Sequence, residues 1–169
     1  MKYWAFISYS HTDREWGDWL HKVLETYRVP RRLIGRESRD GTIPARLFPI
    51  FRDREELPVS ADLSSNINEA LRESRYLIVV CSPRAAASRW VGEEIKTFKR
   101  LGREDRILAL IVDGEPNASE GKPGFKVEDE CFHEALRYRA SETGEISTCR
   151  PKRSRPMRAK EKMGRTTPG

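Results

Sequence analysis

The segment Trp90-Val91-Gly92-Glu93-Glu94-Ile95 sets an aromatic ring and a carboxylate four residues apart, so on a helix Trp90 and Glu94 share one side. Val91, Ile95 and Phe98, at i, i+4 and i+7, form a second, apolar stripe. If that stripe packs while the other side faces a cleft, Glu94 is the leading candidate for a working residue. A carboxylate fixed in such a cleft can stabilise positive charge. Glu93 points about 100° away on the same helix and reads as a solvated acid.

These residues need elements to aim them. Tyr3–Tyr9 is β-branched and aromatic and reads as a buried strand. Thr12-Asp13-Arg14-Glu15 has the form of a capping box. The helix it opens carries Trp16, Trp19, Leu20, Val23, Leu24 and Tyr27 at helical spacing, a core-packing pattern. Residues 31–46 form a long polar connection, and Leu47–Phe51 reads as an edge strand because of Pro49. After the charged loop of residues 52–62, a helix is expected around Leu63, Ile67, Ala70 and Leu71. Tyr76–Ser82 and Arg106–Val112 read as buried strands. Between them Ser88 is placed to cap a helix from Arg89 to about Leu101. A short final strand is expected within Cys131–Tyr138. Strands alternating with helices, with near-continuous apolar runs at the centre, predict an α/β fold: a doubly wound parallel sheet with helices on both faces.

In such sheets ligands bind outside the carboxyl ends of the strands. The polar residues expected there are Ser8, Tyr9, Ser10 and His11 after the first strand, Arg52 and Asp53 after the second, and Ser82 after the third. Trp90 and Glu94 fall in the first two turns of the next helix and can face the same edge. GxGxxG, GxxxxGK[ST] and Gly-x-Ser-x-Gly patterns are absent. His11, His21 and His133 make no metal set, and Cys81, Cys131 and Cys149 lack zinc-site spacing. No metal ligation is expected.

The 169 residues fit one domain with a tail. The net charge of +6 is uneven: residues 1–139 carry 24 basic and 23 acidic side chains, residues 140–169 eight and three. The expected division is therefore a domain over 1–139 and a basic, disordered tail over 140–169. No amphipathic segment remains for the helix that normally closes such a fold. A nearly neutral body argues against a nucleic-acid partner. No apolar run approaches the roughly 20 residues that a membrane helix needs, and the sparse, odd cysteine count suits the cytoplasm.

Six pieces, in order over residues 3–138, resemble a bacterial TIR (Toll/interleukin-1 receptor-like) domain. They are Phe6-Ile7-Ser8-Tyr9-Ser10 with Asp13, then Phe51-Arg52-Asp53 before Leu57-Pro58, then Leu77-Ile78-Val79-Val80-Cys81-Ser82-Pro83. Ser88-Arg89-Trp90-Val91, Glu94-Ile95 and Ile111-Val112-Asp113-Gly114 follow. The resemblance implies a flavodoxin-like five-stranded parallel sheet. It also implies cleavage of NAD between nicotinamide and ribose, in bacterial defence or signalling, by domains active as homo-oligomers. Some members only assemble with other TIR domains as signalling modules, and that is the alternative here. In the enzymes a Trp-x-x-x-Glu glutamate on the third helix is essential, which maps to Glu94 after Trp90. The same likeness makes Trp90 and Phe6 walls of the pocket, and Ser8, Ser10 and His11 neighbours of ribose or phosphate. Asp53 would head a loop that gates the site and meets the next subunit. The enzymes often carry basic residues after the first strand, where this chain has Ser10 and His11.

The chemistry then fits a lone carboxylate and no cofactor, NAD being the substrate. Ordinary glycosidases need a proton donor for the leaving oxygen and a second carboxylate. Nicotinamide in NAD is already cationic and leaves neutral. What remains is to stabilise positive charge on the ribose and orient its hydroxyls.

Overall fold

In the computed structural model, which describes residues 1–39, 41–52, 61–140, 146–147 and 157–158, the apolar runs form one parallel sheet. Its strands are β1 (Tyr3–Ser8), β2 (Ile50–Arg52), β3 (Ser74–Cys81), β4 (Ile107–Ile111) and β5 (Met157–Arg158), side by side as β2-β1-β3-β4-β5. This is the flavodoxin-like strand order, with its switch point between β1 and β3. The predicted fold class therefore holds.

The fifth strand is not where the sequence places it. Residues 131–138 make a helical turn, Glu134–Arg137, and β5 comes from beyond residue 139. Cys131 and Ala135, both buried, stand at i and i+4, a helical period.

Among the described residues, the long helices on the sheet are α1 (Arg14–Thr26), α2 (Ala61–Arg72) and α3 (Arg89–Arg100). Phe6, Leu77, Val79, Cys81 and Ile111 pack with Leu71, Val91, Ile95 and Phe98 under α2 and α3. Ala5, Ile7, Ile50 and Val80 pack on the opposite face with Leu20, Trp16, Trp19 and Leu24 of α1. No further helix covers that second face over β4 among the described residues, and Leu108 there is half exposed.

The polar connection between α1 and β2 folds as an antiparallel arm. Arg28 bridges Arg46, the Val29 N–H donates to Ala45, Gly35 and Arg36 exchange bonds with Ile43, and Glu37–Ser38 pairs with Gly41–Thr42 at the tip.

Candidate functional site

Ser82 ends β3 and turns the chain: its hydroxyl accepts the Ala85 N–H at 3.0 Å and starts the one-turn helix Pro83–Ala86. Ser88 then accepts the Val91 N–H at 3.4 Å and opens α3. Cap follows cap, so the position of α3 is set from the carboxyl end of β3. Trp90 lies in its first turn and Glu94 in its second.

Val91, Ile95 and Phe98 are fully buried, as their spacing predicts. Glu94 stands at the margin of that stripe, only 7 % exposed, whereas Trp90 is 51 % exposed. Glu93 projects to solvent, where its carboxylate takes a hydrogen bond from Lys96 Nζ at 3.1 Å. That bond, with the smaller pull of the Lys96 charge, holds the Glu93 carboxyl below the usual carboxylate range.

The far side of α3 is braced by residues 131–138. The His133 ring lies where a side chain on Gly92 would stand. Lys99 is buried and its ammonium binds Glu104 and the Tyr138 carbonyl. At 100° per residue, Gly92 and Glu94 are about 160° apart. The brace therefore occupies the flank opposite Glu94, and α2 also packs against α3.

Ser8, the last residue of β1, lies on the face that α2 and α3 cover, in phase with Phe6. Its hydroxyl is completely buried and has no hydrogen-bond partner among the described residues. Ser10 is also buried, but its Oγ is 3.0 Å from Thr12 Oγ1. His11 is exposed at the start of a short 3-10 turn. Phe6 is fully enclosed, stacked on Phe51 at 5.1 Å between ring centres, and so lies beneath Ser8 rather than at the surface. Asp53 lies outside the described residues. Ser8 thus ends β1 at the carboxyl edge of the sheet, and Trp90, exposed, and Glu94, enclosed, lie in the first two turns of the helix that starts from the same edge.

Asp13 departs from the capping box expected at Thr12–Glu15. It stands at the N-cap of α1, but its side chain caps nothing. Almost wholly buried, it accepts the Ser82 hydroxyl and receives Arg84 Nε and Nη2 at 3.1 and 2.8 Å. The Asp13 hydrogen bond is the main cause that raises the Arg84 pKa. This buried ion pair ties the loop after β1 to the turn that launches α3. The sequence order gave no sign of it, because the partners are 69 and 71 residues away.

Burial pushes the Cys81 thiol well above its ordinary pKa, so it packs and does not act as a nucleophile. Among the described residues no cluster of His, Cys, Asp or Glu could hold a metal ion, and no helix is long and apolar enough to cross a membrane.

The sequence profile of the TIR domain matches residues 5–137. Over 116 residues the chain is 37% identical to the NAD(+) hydrolase ApTIR of Actinoplanes sp., a stretch that covers 68% of this chain and 15% of that protein. The TIR domains of the activated Roq1 resistosome recognising the effector XopQ align with a TM-score of 0.48 and 22% identity, over 74% of this chain and 64% of theirs.

Proposed function

Since the chain belongs to the TIR domain family, we propose that it cleaves NAD between nicotinamide and ribose, with Glu94 as the essential carboxylate. The observation that carries this reading is the enclosure of Glu94 in the second turn of α3, the helix that starts from the sheet's carboxyl edge, where β1 also ends at the buried Ser8 hydroxyl. The 37% identity with a relative named an NAD(+) hydrolase supports it. As the bond from ribose C1′ to nitrogen breaks, its electron pair leaves with nicotinamide, which departs neutral. The positive charge left on the sugar lies beside the Glu94 carboxylate, and water adding at C1′ gives ADP-ribose and a proton. A fixed anion in an enclosed site lowers the energy of that charge without having to reorganise. The Ser8 hydroxyl offers a hydrogen bond to ribose, and Ser10 and His11 extend the same edge. Phe6 supports this floor from below, and the exposed Trp90 indole gives the flat nicotinamide ring a wall.

The reaction needs no cofactor. The protein works in the cytoplasm, and the domain is most active when it associates with other copies. The test is nicotinamide release from NAD by purified protein, dilute and crowded, beside Glu94→Gln and Glu93→Gln. The expected result is release by wild type and Glu93→Gln and almost none by Glu94→Gln. No release under either condition would leave only the non-catalytic TIR–TIR module. Equal release by all three proteins would remove Glu94 from the mechanism.

A further inference from the structure

The two ends of the sheet carry opposite charge. The arm of residues 28–46 joins the end of α1 to the start of β2, so it lies at the amino-terminal edge. Arg39, near its tip, pairs with Asp105, just before β4 at that same edge. The arm holds six arginines against Glu37 and Asp40, a net +4. Arg31, Arg32 and Arg36 are exposed and form no ion pair among the described residues. The segment 113–134 follows β4 and lies at the opposite, carboxyl-terminal edge. It holds seven acids and two lysines, a net −5. Some of these charges are used internally: Glu115 pairs with Lys122, and Glu130 binds Ser119 and Arg137. Glu120, Glu128 and Glu134 are exposed at the surface.

The patches cannot neutralise each other within one molecule. The eight residues of β3 separate the edges by about 26 Å at 3.3 Å per residue. That is roughly three times the screening length of about 8 Å at physiological salt. Between copies they are complementary, and because they differ from one another the contact is heterologous and can repeat.

We propose that the arginine arm of one copy docks on the acidic 113–134 surface of the next, giving a head-to-tail assembly. This rests on the self-association reading above and adds the surface that mediates it. The arm arrives at the sheet's carboxyl edge, on the flank of α3 that residues 131–138 brace. Arginine suits this role because its planar fork meets carboxylates with two bonds at once.

The experiment measures assembly of the full chain by sedimentation and light scattering across protein and salt concentration. It compares wild type, Arg31→Glu/Arg32→Glu/Arg36→Glu (arm net −2), Glu120→Lys/Glu128→Lys/Glu134→Lys (segment net +1), and an equal mixture of the two variants. Melting curves confirm that each variant folds. Wild type should assemble with rising concentration and dissociate in salt. Each variant alone should assemble about tenfold or more weakly. The mixture should recover, because every contact in an alternating chain is again between opposite charges. Wild-type assembly matched by both variants, or a mixture that fails to recover, overturns this interface while self-association stands. A wild type that is monomeric throughout overturns both. Salt-dependent binding of duplex DNA that the arm variant loses, with assembly unaltered, assigns the arm to nucleic acid and overturns the proposal.

Discussion

Replacing Gly92 by alanine sets two effects of opposite sign against each other. Gly92 lies inside α3, where alanine would ordinarily strengthen a helix by about 1 kcal/mol. Here the added methyl would stand 2.4 Å from both Cε1 and Nε2 of His133. That is roughly 1 Å inside ordinary contact. The ring cannot swing away freely, because its Nδ1 accepts the Ala135 N–H at 3.0 Å and starts the turn that braces α3. Overpacking of this kind costs about 1–3 kcal/mol. The clash should therefore outweigh the helix gain, with a net loss of about 1 kcal/mol, or roughly 3–4 °C in Tm for a domain of this size. Thermal unfolding of wild type, Gly92→Ala, His133→Ala and the double variant measures it as a cycle. Without the ring the alanine has only its helical benefit, so the double variant should melt above His133→Ala. A Gly92→Ala protein as stable as wild type, or a cycle whose effects simply add, would refute the packing argument.

Three other outcomes follow from groups in and around the site. Ser8→Ala removes a buried hydroxyl with no partner among the described residues, so urea unfolding should show stability unchanged or raised by up to about 1 kcal/mol. NAD cleavage by the same variant should fall at least about tenfold if that hydroxyl holds ribose; a large stability loss would show that the hydroxyl is satisfied in the fold. Asp13→Ala leaves Ser82 and Arg84 without their shared acceptor and should cost about 3 kcal/mol in urea unfolding, at the low end for a broken buried pair because Arg84 is half exposed and can hydrate. A loss below about 1 kcal/mol would make the pair incidental. Burial, followed by the Lys96 charge, lowers the His133 pKa, with Glu134 and Glu93 opposing and Arg137 adding to the shift. The folded chain thus binds this proton less readily than the unfolded one, so stability is complete above the ordinary histidine pKa of about 6.5 and is lost as pH falls below it. His133→Gln should flatten the pH dependence of the melting temperature in that acidic window, and an unchanged slope would assign it to other groups.

What was legible in the sequence follows from how each signal arises. β1, β3 and β4 are inner strands under helices, so they read as apolar runs, and their order yields the fold. β2 is shorter than its apolar residues suggested. Pro49 has no N–H to give and contributes only its carbonyl, to the Trp4 N–H at 2.9 Å, so strand pairing begins at Ile50. The arm of residues 28–46 was unreadable as structure, because its mostly exposed residues leave no apolar face to set a period. His133 falls in the stretch expected as a strand, although its neighbours Cys131 and Ala135 have helical spacing.

The choice between Glu93 and Glu94 shows what the structure adds to a pattern. Two identical neighbours differ in the sequence only by phase against Val91, Ile95 and Phe98. The fold turns phase into environment: Glu94 is enclosed, whereas Glu93 lies on the solvated face with Lys96. The strength of an anion follows that environment. At 4 Å, attraction to a unit positive charge is about 1 kcal/mol in water and about 4 kcal/mol at an effective dielectric of 20. The difference, about 3 kcal/mol, is a rate factor of roughly a hundred. A motif that names Trp-x-x-x-Glu selects Glu94 by counting. The dielectric argument selects it independently and also predicts that a carboxylate moved one position along α3 will not replace it.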